Sequence, residues 1–111
     1  MDAAKRKWKR VKVDIRVRIR RWDEPEAATA VVRTYELSRG GMSVYASETL
    51  QVGTLLWIDL SLPNGTVEAG IKAVVRNRRG FRLGMEFVDL SHRDGVAIET
   101  YLAAVESVVE I

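Results

Sequence analysis

Val11-Lys12-Val13-Asp14-Ile15-Arg16-Val17-Arg18-Ile19-Arg20 decides the fold. Apolar and polar residues alternate strictly through it, and a period of two marks a strand with one face in a core and the other in water. Trp22-Asp23-Glu24-Pro25-Glu26 ends the run with turn chemistry, and a second β-like run follows from about Ala28 to Leu37. Met42, Val44 and Ala46 begin a third, short alternation, and Leu55 to Leu62 form a fourth that is denser in apolar side chains. Pro63-Asn64-Gly65 is a hairpin signal, because Asn-Gly tolerates the positive φ of a tight two-residue turn. A fifth strand then runs from about Thr66 to Arg76, with Val67, Ala69, Ile71, Ala73 and Val75 on one face. Asn77-Arg78-Arg79-Gly80 reads as the turn into a sixth, which carries Phe81, Leu83, Met85 and Phe87.

The period changes at Ser91. Ser91-His92-Arg93-Asp94 fits a capping box and predicts a helix over 91–109. Ile98, Tyr101, Leu102, Val105, Val108 and Val109 recur every three or four residues, a stripe that has to be buried against the sheet. Six consecutive strands on short turns with one terminal helix predict a mainly β fold. An antiparallel sheet of this kind curls or closes, since closure removes its exposed edges. The pattern leaves a closed barrel and an open, strongly twisted sheet both standing.

With 111 residues, 47% of them hydrophobic, the chain is expected to be a single domain over 1–111. Its parts are a flexible basic lead-in at 1–10, a barrel at 11–88 and the helix. No apolar run approaches a membrane span and no leader pattern opens the chain, so a cytoplasmic protein is expected. Cysteine is absent, which excludes disulfides and thiolate metal sites. Residues 1–22 hold ten Lys or Arg against two acids, a net +8, whereas the remainder is net −5, so an anionic partner is drawn to one end.

That end carries Arg6-Lys7-Trp8-Lys9-Arg10. An Arg fork meets the O6 and N7 acceptors of guanine, or two phosphate oxygens, in a way Lys does not. Arg16/Arg20 and Arg78/Arg82 share the spacing, but only Arg6 and Arg10 enter the first strand upstream of the sole Ser-x-x-Gly. That second stretch is Glu36-Leu37-Ser38-Arg39-Gly40-Gly41. Glu36 offers acceptors for the N1–H and N2 amino donors of guanine, and Ser38 adds a hydroxyl. Gly40 and Gly41 permit positive φ and a close backbone approach to a flat ligand. The competing reading of this stretch is a Gly-Gly turn whose Ser satisfies its own loop. His92 is the only histidine, has no Cys with which to share a metal and is expected at the surface, and without a second His or a Cys no nucleophile–base pair of the usual kind can be assembled; no metal is expected. The chain reads as a binder, not an enzyme, with no cofactor.

The two stretches, in this order at the start of a small β-rich domain, resemble the PilZ family, whose members bind the bacterial second messenger cyclic di-GMP. The resemblance covers nearly the whole chain, and Val75-Arg76, Gly84-Met85-Glu86-Phe87 and the helix extend it. It implies a six-stranded antiparallel β-barrel with a C-terminal α-helix, acting as a receptor in signal transduction. Arg6 and Arg10 would clamp guanine and phosphate from one side, with Glu36, Ser38, Gly40 and Gly41 holding guanine from the other. Lys5, Lys7, Lys9 and Arg39 would be accessory, and Trp8 would either stack on a base or cover the barrel end. Binding would order the lead-in and present a changed surface to a downstream protein. The family has Asp or Asn where this chain has Glu36, one methylene longer. Two other readings are a degenerate PilZ domain working only through protein contacts, and a small barrel binding single-stranded nucleic acid with Trp8 and Trp57 as stacking platforms.

Overall fold

In the computed structural model, which describes residues 8–23, 30–46, 50–62 and 67–109, the alternating run forms β1 (Val11–Arg21). It is followed by β2 (Ala30–Ser38), β3 (Gly41–Tyr45), β4 (Leu55–Ser61), β5 (Val67–Arg79), β6 (Arg82–Phe87) and α1 (His92–Val109). The strands are ordered β1-β2-β3-β6-β5-β4, and β1 pairs antiparallel with both β2 and β4. The sheet is therefore a closed barrel, which resolves the choice that periodicity alone leaves open. Among the described residues no helix is long and apolar enough to cross a membrane.

Alternation fills the ring. Val17, Val44, Ile58, Leu60, Val75 and Leu83 are essentially inaccessible inside it. The helix adds Ile98 and Leu102 to the same core, with Tyr101 and Val105 packed at its margin. The side chains of Val108 and Val109 lie outside the described residues. Ser91 caps α1 as its sequence predicts, its Oγ accepting the Asp94 amide at 3.0 Å. Gly95, a poor helix former that the sequence reading passes over, sits in the first turn of α1. A Cβ there would fall 2.6 Å from Nε of Arg39, so glycine leaves room for a guanidinium lying on the helix.

Register slips interrupt the ladders at chosen points. β1 has an extra residue at Val13–Asp14 relative to β2, β2 at Tyr35 relative to β3, and β5 at Arg76 relative to β6. The slip in β2 changes the phase of the alternation: Thr34 and Leu37 both point inward, and Glu36, which strict alternation from Thr34 would bury, faces out.

Two boundaries need correction. Asn77, Arg78 and Arg79 are not a turn but the end of β5, paired with Gly84, Leu83 and Arg82. They are exposed, so no apolar alternation is required of them, and the chain reverses instead at Gly80-Phe81, where Gly80 has φ of +60°. Pro63-Asn64-Gly65, Thr66 and the beginning of the second run, Ala28-Thr29, lie outside the described residues.

The packing separates interior from surface sharply. Ile58→Ala, at a residue with 0% exposure, should lower unfolding free energy by about 2–5 kcal/mol in urea titration. Val31→Ala, at a residue 61% exposed, should change it by no more than about 0.5 kcal/mol.

Candidate functional site

The β2–β3 turn is built by Ser38. Its hydroxyl accepts the Gly40 amide at 3.1 Å and the Gly41 amide at 3.2 Å, and donates to the Gly41 carbonyl at 3.4 Å. With both lone pairs and its proton engaged, the buried Ser38 acts as the brace of the turn. The Phe87 amide donates to the Gly40 carbonyl at 2.9 Å and fastens the turn to the end of β6. Positive φ, anticipated for Gly40 and Gly41, occurs at neither. What both positions need is space: a Cβ on Gly41 would stand 2.0 Å from the Met85 carbonyl oxygen, and one on Gly40 would stand 2.6 Å from Cδ1 of Trp8.

The lead-in arrives beside this turn. Lys12 is the register partner of Glu36, so Arg10, two residues earlier, emerges at the same level as the turn. Arg10 Nη1 lies 3.8 Å from Glu36 Oε1, with both side chains partly open to solvent. Trp8 covers Gly40, and the Arg39 guanidinium stacks on its ring 5.1 Å from the centroid. Arg39 Nη1 also pairs with Glu99 Oε2 of α1 at 2.9 Å, and Lys9 pairs with Glu106 of the same helix. Residues 8–10 are thus clasped between turn and helix. Arg6, Lys5 and Lys7 lie outside the described residues.

These groups border a concavity of about 890 Å³ on the outer face of β2, β3, β6 and β5. Gly41, Ser43 and Gly84 line it with little side-chain bulk. Ser43 is the register partner of both Glu36 and Gly84, and Gly84 of Asn77, so one row crosses all four strands. Arg10 and Glu36 stand on one wall. On the other stand Arg76, Asn77 and Glu86, with Arg76 Nε 2.6 Å from Glu86 Oε1. The structure therefore brings together Trp8, Arg10, Glu36, Ser38, Arg39, Gly40 and Gly41 from the two predicted stretches. It adds Arg76, Asn77 and Glu86, which sequence reasoning did not put in the site. Arg76 and Asn77 begin the run of polar residues following Val75, where alternation stops, and Glu86 occupies an outward position of the alternating sixth strand.

Trp57 stands elsewhere. Its ring is stacked on Trp22 at a centroid distance of 4.9 Å, with Lys72 over both rings, on the β4 wall opposite β3. Among the described residues no group of three or more Asp, Glu or His could hold a metal ion.

Comparison with family models matches the PilZ domain over residues 4–104. The fold is similar to the PilZ domain of CeSA from a cellulose synthesizing bacterium, with a TM-score of 0.69 and 18% identity over 88% of this chain and 98% of that one. It is likewise similar to the PilZ domain of YcgR from Escherichia coli, solved with c-di-GMP, with a TM-score of 0.75 and 18% identity over 95% of this chain and 94% of that one. The Bacillus subtilis inhibitor of motility MotI/DgrA gives a TM-score of 0.77 at 20% identity over 96% of this chain, which spans only 54% of that one. Comparison with curated proteins finds no match.

The two glycines should respond differently to a methyl group. Gly41→Ala forces backbone against backbone and should cost about 1–3 kcal/mol in denaturant unfolding. Gly40→Ala meets the Trp8 ring first, a side chain that can swing aside where backbone cannot, and should cost no more than about 0.5–1 kcal/mol.

Proposed function

The chain belongs to the PilZ domain family, and from that premise we propose that it is a receptor for cyclic di-GMP. The observation that carries this reading is the meeting of Arg10 and Glu36, from separate stretches, beside the braced turn. Arg10 turns its fork to the O6 and N7 edge of a guanine or to a phosphate, and Glu36 accepts from N1–H and the N2 amino group. Arg6 supplies the second fork of the clamp. Ser38 contributes by holding the turn, and Gly40 and Gly41 by letting a flat base approach the backbone.

The two key side chains meet each other. At 3.8 Å and partly exposed, the Arg10–Glu36 pair contributes no more than about 1 kcal/mol, so a base that satisfies both partners opens it readily. The longer arm of Glu36, relative to the family's Asp or Asn, is what spans the distance to Arg10. Ligand drawing Arg10 toward the concavity repositions Trp8 and Lys9, which touch the turn and α1, and orders the lead-in. A downstream protein reads the altered surface.

This reading is preferred over a single-stranded nucleic acid binder for a geometric reason. Trp8 and Trp57 stand on different walls of the barrel, so they do not form one stacking track.

Calorimetric titration with cyclic di-GMP tests the assignment. Arg10→Ala should weaken binding by about 5- to 150-fold, the loss of one bidentate contact of about 1–3 kcal/mol. Glu36→Asp should bind as tightly as wild type or tighter, because shortening the arm separates it from Arg10 and leaves the fork free. Binding should vary little with salt and reject other nucleotides. Unchanged affinity in Arg10→Ala would sink the clamp, and no binding by wild type would leave protein contacts as the function.

A further inference from the structure

The concavity has a second wall with the same chemistry as the first. Arg76 and Glu86 form an ion pair at 2.6 Å that faces the trough lined by Gly41, Ser43 and Gly84. Arg76 is the extra residue of the β5 bulge, and the bulge is what brings it out beside Asn77. Glu86 is the register partner of Gly41, which places it next to the braced turn. The two Arg–Glu pairs are thus carried by strands at opposite sides of one trough, with Ser43 and Gly84 between them. From β2 to β5 is three strand spacings, about 14 Å measured along the sheet.

Each pair presents what the two edges of one guanine require: a fork of donors for O6 and N7 on one edge, and a carboxylate for N1–H and the N2 amino group on the other. Cyclic di-GMP carries two guanines. Building on the receptor reading above, we propose that Arg76 and Glu86 form a second guanine-reading station, so that a two-base ligand is read at both ends. The role is separable from folding, because the pair is more than half exposed on both sides and an exposed ion pair adds little to stability.

The discriminating probe is the hybrid cyclic dinucleotide with one guanine and one adenine. Its guanine takes the Arg10–Glu36 station and its adenine is left for the Arg76–Glu86 station, where O6 and N1–H are missing. Wild type should prefer cyclic di-GMP over the hybrid by about 10-fold or more in calorimetric titration. Arg76→Lys keeps the charge and loses the fork, so it should shrink that preference below about 3-fold while hybrid affinity stays within about 2-fold of wild type. The double variant Arg76→Ala, Glu86→Ala, which leaves neither charge unpaired, should behave in the same way. Thermal unfolding checks that it folds, and Arg76→Lys decides the matter if it does not. Arg10→Ala should weaken both ligands together.

A wild-type protein that binds both dinucleotides equally, or variants that keep the preference, would overturn the second station while leaving the receptor reading intact. An equal loss for both ligands in Arg76→Lys would also overturn it, by reducing Arg76 to a phosphate contact. A wild type that binds neither ligand would bring down the receptor reading itself, and the station with it.

Discussion

Closure of the six strands is the constraint on which the other features of the molecule depend. Because β1 is paired along both edges, no strand can relieve strain by fraying, and the ring must be accommodated by stagger and by local slips of register. The slips at Val13–Asp14, Tyr35 and Arg76 are such accommodations. Each changes which face a side chain occupies. Through the slip at Tyr35, Leu37 fills the interior and Glu36 reaches the surface, and through the slip at Arg76 a guanidinium joins the same concave face. Charged groups come to line a trough because the barrel had to close.

The site combines a stiff floor with loosely held walls. The floor is fixed by backbone: Ser38 saturates the turn amides, Phe87 ties Gly40 to β6, and Gly41 leaves no room for a Cβ against Met85. The walls are ion pairs that remain partly in water, and such pairs are individually weak. Neither pair is therefore needed to hold the strand pairing beneath it. Trp8, Arg39 and Lys9 extend the same arrangement to α1, and Gly95 accepts a poorer helix propensity of about 1 kcal/mol relative to Ala so that Arg39 can lie close.

Six strands, their antiparallel sense and the helix cap at Ser91 were legible because half-burial leaves a two-residue period and a cap needs a particular side chain. The strand end at Asn77-Arg78-Arg79 was not, since exposed ladder residues carry no apolar signature and look like a polar turn. Arg10 and Glu36 were singled out by residue type, and the structure brings them together beside the β2–β3 turn. Arg76 and Glu86 entered the sequence reading only among residues that extend the family resemblance, because the β5 bulge that exposes Arg76 beside Glu86 has no local signature in the chain.

Local order in the chain determined the inventory of this protein: which segments are strands, which residues turn inward, and which short stretches hold donors and acceptors at close spacing. These follow from interactions among near neighbours, where periodicity and capping operate. Tertiary structure alone decided that the sheet closes, that Ser38 spends its hydroxyl on the turn, and that two Arg–Glu pairs face each other over a glycine-lined trough. Register between strands distant in sequence sets those outcomes, and a register is fixed by the simultaneous packing of both edges of every strand, which no single stretch of residues encodes.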